Sequence, residues 1–210
     1  MERYKSIYKH FTEELRFSDL KKSAGMSDLT KKFRKERSSK PYSQREERTA
    51  KFIDTKIQGK DVMFEFLTEV TEKYPDGYKW GEVEPDSNFD IKKPNSSKTY
   101  EMNLLVLDFF EWLDTTPDKI TNKDIEDVLE VANVKLWCNC PSFHWQGMNF
   151  IMSTFDASIH PTEIAPKFWN KKHMDDNFLC KHLGGLVNQI KFYIPQMRMG
   201  IKAKMGLTKK

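Results

Sequence analysis

Two short motifs contain residue types that bind metal ions. The first, CNC, places Cys138 and Cys140 one residue apart, and the second, CKH, places Cys180 two residues before His182. Thirty-nine residues separate the motifs, which together contain all three cysteines of the chain. Three thiolates and one imidazole are a common tetrahedral ligand set for structural zinc. We therefore predict that Cys138, Cys140, Cys180 and His182 bind one Zn²⁺.

The predicted secondary structure places these motifs at the ends of regular elements. VKLWCNC is typical of a strand that puts alternate residues on one face, namely Val134, Leu136 and Cys138. A bend imposed by Pro141 would turn both sulfurs of the CNC motif toward one ion. The CKH motif lies at the predicted start of a helix, whose dipole favours thiolate. Leu179 and Leu183 would flank this half of the site and exclude water.

Other assignments of these residues remain open. Cysteine is often buried as a small apolar filler, and the CNC pair could be a redox pair, although Cys180 and His182 would then lack a role. His144 could replace His182 as the fourth ligand, but its aromatic neighbours favour a packed or surface histidine. One acidic set could suggest a hydrolase metal site, yet it fits a solvated helix face better: Asp114, Asp118, Asp124, Glu126 and Asp127.

The charges are distributed unevenly along the chain. Residues 31–60 carry 11 basic and 4 acidic side chains, residues 61–190 carry 12 and 22, and residues 191–210 carry 6 basic side chains and no acid. Basic ends around an acidic middle suit arms that bind nucleic acid or an acidic partner surface. Packing of the arms on the acidic body of the chain is the alternative.

The pattern of turn residues and apolar runs predicts an α+β fold with a small antiparallel β-sheet and helices. We assign residues 1–60 to a basic, helical or extended N-terminal arm or linker, residues 61–190 to an α+β zinc-binding domain, and residues 191–210 to a basic C-terminal tail. Thr121 and Asp124 resemble a capping box at the start of a short amphipathic helix. The last helix, LCKHLGGLVNQIKFYI, is expected to be interrupted at Gly184 and Gly185.

The two motifs together resemble the SWIM-type zinc finger, whose pattern is C-x-C, a variable gap and C-x-H. The resemblance implies a zinc-clamped β-β-α unit with Cys138, Cys140, Cys180 and His182 as the four ligands. The gap in this chain is longer than is usual for the family. The stretch from about residue 98 to 190, including LWCNCPSFHWQGMNFIMSTFDA and FLCKHL, is similar to uncharacterised proteins of large tailed bacteriophages. That similarity implies a virion component.

A zinc ion with four protein ligands has no open position, so its role would be structural and the chain would not be an enzyme, with no catalytic residues. We expect a zinc-stabilised structural or interaction protein of a bacteriophage virion, at the head or connector, whose partners are other subunits. A SWIM-type nucleic-acid-binding protein is the alternative, and a hydrolase with an open zinc is a third possibility. The sequence shows neither a signal peptide nor a membrane span, so we expect it in the virion or the host cytoplasm.

Overall fold

The computed structural model describes residues 16–18, 20, 45–73, 96–145, 148–154, 156–163 and 179–207. Within these ranges, four strands form one antiparallel sheet in the order of the sequence. They are β1 (Arg45–Gln58), β2 (Asp61–Lys73), β3 (Ser96–Val106) and β4 (Val134–Cys138). Each strand pairs with the next along the chain. The sheet is therefore a meander, as the run of strand signals predicts.

Among the described residues, the helices with complete bounds lie in the second half of the chain, and Phe17, Ser18 and Leu20 are helical positions near its start. The helices with complete bounds are α1 (Asn122–Val131), α2 (Pro141–Trp145), α3 (Met148–Thr154), α4 (Lys181–Gln189) and α5 (Ile194–Lys204), with a 3₁₀ turn, Ile190–Phe192, between α4 and α5. The predicted capping box is confirmed, because Thr121 accepts a hydrogen bond from the Asp124 backbone N–H and the Asp124 carboxylate accepts one from Thr121. The sheet and the helices together confirm the α+β class.

One face of the sheet forms the hydrophobic core with the helices. The buried residues of β3 and β4 alternate in sequence, and those of β2 do so apart from Met63, because successive side chains of a strand point to opposite faces. In β4 the pattern is the predicted one, with Val134, Leu136 and Cys138 buried. The same face includes buried residues of β2 and β3: Val62, Phe64, Phe66, Met102, Leu104 and Val106. Buried residues of α1, α4 and α5 belong to the same core.

The sheet begins earlier in the chain than the sequence suggests. The arm or linker predicted over residues 1–60 is corrected for β1, which pairs with β2 over its whole length. Phe52 and Ile57 of β1 pack against the core, and Thr55 is fully buried. Charged residues between them mask this apolar face in the sequence. A bulge at Ile53 shifts the register and hides the alternation further.

The C-terminal segment is also part of the core rather than a basic tail. Ile194, Met197 and Ile201 of α5 are buried at 0–2% exposure, and α5 packs on β1. Tyr193, just before α5, donates a hydrogen bond to the Ala50 carbonyl of β1 at 3.1 Å. The cations of the segment lie around this apolar stripe, so net charge alone suggested a tail. The described part of the tail prediction, up to Leu207, is therefore corrected.

The predicted interruption at Gly184 and Gly185 is wrong, because α4 continues through both glycines. Some predictions fall outside the described residues: most of the helix over residues 6–22, the helix from Ser27, the turn at residues 75–77, most of the loop over 84–98, and most of the polar connection over 158–177. Phe17 and Leu20, which are described, belong to the core.

Gly200 lies at a point of close approach between α5 and β1. A Cβ atom at this position would clash with Oγ1 of Thr55 and lie 3.0 Å from its Cβ. We expect Gly200→Ala to lower the free energy of unfolding by about 1–3 kcal/mol, as overpacking does, although alanine is the better helix former. Urea unfolding measures this change.

Gly185→Ala is the matched control, because nothing lies within 4 Å of the added Cβ. This variant should be as stable as the wild type or more stable by up to about 1 kcal/mol. Adding Thr55→Ala to Gly200→Ala should restore part of the lost stability, since Thr55 Oγ1 has no hydrogen-bond partner among the described residues. Equal stability of the two glycine variants would contradict the close packing of α5 on β1.

Candidate metal centre

The four predicted ligands come from three elements of the fold. Cys138 is the last residue of β4, and Cys140 precedes α2 directly. Cys180 is the N-cap of α4, and His182 lies in its first turn. All four side chains are buried, with exposed fractions of 0–4%. The structure thus brings together two motifs that are far apart in the sequence.

The distances between the donor atoms suit one metal ion. The three sulfurs and a ring nitrogen of His182 all lie within 4.8 Å of one another. Cys138 Sγ is 3.8 Å from Nδ1 of His182. Around a tetrahedral zinc ion, bond lengths of about 2.0–2.3 Å would place such donor atoms about 3.6–3.8 Å apart. The cluster can therefore bind a metal ion after only small movements of the side chains.

Two of the sulfurs accept hydrogen bonds from helix backbones. Cys140 Sγ accepts one from the Phe143 N–H at 3.4 Å, and Cys180 Sγ accepts one from the Leu183 N–H at 3.5 Å. Backbone N–H groups at a helix start carry partial positive charge, which stabilises thiolate. The residues after each cysteine therefore favour the ionised form that binds metals.

Without a metal ion, burial and the hydrogen bonds among the three cysteines shift their pKa values in different directions. Hydrogen bonds from Cys138 and Cys180 hold the pKa of Cys140 far below its usual range. The hydrogen bonds that Cys138 donates to Cys140 and Cys180, together with burial, raise the pKa of Cys138 strongly. Burial raises the pKa of Cys180 to about 12. A bound cation would replace the protons of Cys138 and Cys180, because metals bind thiolates rather than thiols.

His182 is held by its contact with Cys138 on one side and by ring stacking on the other. Its ring stacks on Tyr100 of β3, with centroids 4.5 Å apart and planes inclined by 27°. Its Nε2 atom is buried and has no hydrogen-bond partner in the described part of the chain. Buried polar atoms without partners are uncommon in folded proteins. The ring presents its other nitrogen, Nδ1, to the sulfurs at 3.8 Å from Cys138 Sγ, and this atom could bind a metal ion.

The leucines predicted to flank the CKH motif are buried, with Leu179 at 6% and Leu183 at 0% exposure. The other candidates lie apart from the cluster. His144 is exposed and contacts Phe143 edge-on, with ring centroids 5.6 Å apart, and His160 packs edge-on against Trp137. His144 therefore does not replace His182 in this cluster.

The acidic set does not form a second cluster. Asp124 caps α1, and Asp127 pairs with Lys123 on the exposed side of that helix. Among the residues with described positions, the cysteine and histidine group is the one that could hold a metal ion. The interpretation of these carboxylates as a solvated face agrees with these contacts.

Two residues at the site were missed in the sequence. Asn139, between the first two cysteines, makes two hydrogen bonds with the backbone of Glu101, and Tyr100 stacks on His182. Pro141, which was predicted to impose the bend of the CNC motif and to lie near a helix start, occupies the first position of α2, where proline is favourable. Nothing in the sequence pattern connects β3 with either motif.

The cluster offers four protein donors to one ion, which leaves no coordination position for water or substrate in a tetrahedral site.

Among the described helices, none is long and apolar enough to cross a membrane. The chain matches no protein-family model, no curated protein and no solved structure.

Proposed function

We propose that this chain is a non-enzymatic structural or interaction protein that is stabilised by zinc. The observation that carries the proposal is the buried group of three sulfurs and one imidazole within 4.8 Å. Soft thiolate ligands favour Zn²⁺ over Mg²⁺ or Ca²⁺, which take oxygen ligands. Four protein donors leave no position at which zinc could activate water. Stabilisation of the fold is the role that such a site can perform.

The ion would connect distant parts of the chain. Cys138 and Cys140 are attached to the end of β4, whereas Cys180 and His182 belong to the start of α4. Between these halves lies a long insertion that includes α2 and α3. Because an unfolded chain does not hold the four ligands together, the free energy of metal binding becomes folding free energy. Zinc would thus anchor the insertion at both ends.

The proposed setting is a bacteriophage virion, with other subunits at the head or connector as partners. This setting rests on the resemblance of the sequence around residues 98–190 to proteins of large tailed bacteriophages, and the interpretation as a SWIM-type finger rests on the C-x-C and C-x-H motifs. A zinc-anchored insertion would present a surface to such subunits. Stoichiometric presence of the chain in purified particles would support the proposal, and its absence from them would refute this setting.

The metal content of the purified protein tests the proposal directly. We expect about one zinc per chain after purification under reducing conditions, because the site has four donors for one ion. Elemental analysis by mass spectrometry, normalised to protein concentration, measures this ratio. A folded wild-type protein without bound metal, and unable to take up added Zn²⁺, would contradict the proposal.

Nucleic-acid binding is a second candidate function, and the charge of the C-terminal segment favours it. Residues 191–207 contain no acidic side chain, and Lys191 is exposed. Two other cations of the segment lie near carboxylates, since Lys204 pairs with Asp54 at 2.8 Å and Lys202 lies near Asp118. Binding to duplex DNA that weakens steeply as salt increases would support this alternative.

A further inference from the structure

The pairing of β3 with β4 changes at the CNC motif. Met102 pairs with Cys138 in the ladder, so the next pair would join Glu101 and Asn139. In a regular antiparallel ladder, every second pair exchanges both backbone hydrogen bonds, and the hydrogen bond from Leu107 to Asn133 puts the Glu101–Asn139 position in phase with these pairs. Here the Asn139 N–H donates to the Glu101 carbonyl at 3.1 Å. The Glu101 N–H, however, donates to Oδ1 of the Asn139 side chain at 2.9 Å.

The side-chain amide of Asn139 thus replaces its own backbone carbonyl in the ladder. Both hydrogen bonds between Glu101 and Asn139 are formed, although the backbone carbonyl of Asn139 does not take part in them. The strand ends directly after Asn139, because the Cys140 carbonyl already accepts the first hydrogen bonds of α2, from Phe143 and His144. The bend between the two cysteines is therefore located at Asn139.

The bend is what allows both cysteines to reach one ion. If β4 continued as a regular strand, Cys138 and Cys140 would point to the same face but lie about 6.8 Å apart along it. Sulfurs on a tetrahedral zinc ion are about 3.8 Å apart. In the bent chain the two sulfurs lie within 4.8 Å. A two-residue spacing on a strand becomes a chelating pair only when the strand ends between its members.

The neighbouring residue of β3 contacts the other half of the site. Tyr100, which precedes Glu101, stacks its ring on His182 with centroids 4.5 Å apart. Two consecutive residues of one strand therefore contact the two motifs. Glu101 acts through Asn139 on the CNC motif, and Tyr100 acts on His182 of the CKH motif. The end of β3 that contains Tyr100 and Glu101 therefore contacts both halves of the metal centre.

We propose that Asn139 is a positioning residue of the metal centre, which makes the CNC motif a chelating pair by replacing its backbone carbonyl on Glu101. Tyr100 has the corresponding role for His182. This inference rests on the proposed binding of a metal ion. The affinity for the metal ion would then depend on Asn139 and Tyr100, although neither residue is a ligand of the ion.

Substitution of Asn139 tests the inference in the full-length protein. Asn139→Ala should weaken Zn²⁺ binding about 10- to 100-fold, as the loss of residues that orient metal ligands does in other sites. Asn139→Asp retains the acceptor oxygen and should bind Zn²⁺ nearly as tightly as the wild type. The dissociation constant is measured by competition with a chromogenic chelator. Asn188→Ala, an exposed asparagine on α4, is the matched control and should leave it unchanged.

Two further measurements separate positioning from general stability. The absorption spectrum of the Co²⁺-loaded protein reports the ligand geometry, and it should change in Asn139→Ala but not in Asn139→Asp. Tyr100→Leu should weaken Zn²⁺ binding more than Tyr100→Phe, which keeps the stacked ring. These variants provide the test if Asn139→Ala does not fold.

The outcomes distinguish this inference from the proposed function. A wild-type protein that binds no metal would refute the metal site itself. A wild-type protein that binds Zn²⁺, with Asn139→Ala binding it equally tightly, would overturn the role of Asn139 alone. Asn139→Ala could also lose the same free energy of unfolding with and without metal while its dissociation constant for Zn²⁺ stays unchanged. That result would overturn the role of Asn139 as well.

Discussion

Cys180→Ala is expected to abolish zinc binding and to lower the free energy of unfolding by more than about 3 kcal/mol. Cys180 is fully buried, supplies one of four donors and accepts the capping hydrogen bond of Leu183 in α4. Structural zinc sites in small peptides contribute on the order of 10 kcal/mol to folding. Typical domains are stable by only about 5–15 kcal/mol. Loss of the metal should therefore leave a chain that unfolds at much lower denaturant concentration.

Cys180→Ser separates the metal from the packing and the cap. Serine has nearly the size of cysteine and can still accept a hydrogen bond from Leu183, but it is a poor zinc ligand. We expect Cys180→Ser to lose zinc and most of the stability that Cys180→Ala loses. Denaturant unfolding with and without a strong chelator measures both effects, together with the zinc content of each protein.

The chelator should lower the unfolding midpoint of the wild type to nearly that of Cys180→Ser, and it should leave both Cys180 variants unchanged. This difference follows because the variants have no metal to lose. The zinc content of the wild type is measured before and after the chelator is added. If the chelator removes the zinc but leaves the unfolding midpoint unchanged, the ion has no stabilising role.

The second large effect concerns the C-terminal helix. Ile201→Ala should lower the free energy of unfolding by about 2–5 kcal/mol, because Ile201 has no exposed surface and the substitution leaves a cavity in the core. Met199→Ala, on the same helix, is the control. Met199 is 50% exposed, so its substitution should change stability by no more than about 0.5 kcal/mol.

Urea unfolding of the two variants decides whether α5 belongs to the core. If residues 191–210 were a solvated basic tail, both substitutions would have the same small effect. A large effect of Ile201→Ala alone would agree with the packing of α5 on β1 and with the hydrogen bond from Tyr193 to Ala50. Equal, small effects would contradict this packing.

The parts of the fold that were predictable depend on neighbouring residues. The capping box of α1 needs only Thr121 and Asp124 three residues later, and both are visible in the sequence. The alternation of buried residues in β4 follows from the two-residue period of a strand. The α+β class follows from the same kind of local pattern.

The missed parts depend on contacts between distant residues. The apolar residues of β1, Ala50, Phe52, Ile53 and Ile57, lie among charged residues that suggested an arm, and only pairing with β2 makes this segment part of the sheet. The spacing of Ile194, Met197 and Ile201 in α5 is helical, yet six cations in residues 191–210 suggested a tail. In both segments a narrow apolar stripe is buried although the segment is basic, because burial depends on the face of an element and not on its net charge.

For the metal centre, the sequence by itself determined the donor types and their grouping into two motifs. Which donors meet was decided only by the tertiary structure, because the distance between two atoms far apart in the chain depends on how the intervening elements pack. Asn139 of the CNC motif is hydrogen-bonded to Glu101, and His182 stacks on Tyr100, both on a strand that precedes either motif. Chelation by one ion requires distances of a few ångströms, and the packing of β3, β4 and α4 sets those distances.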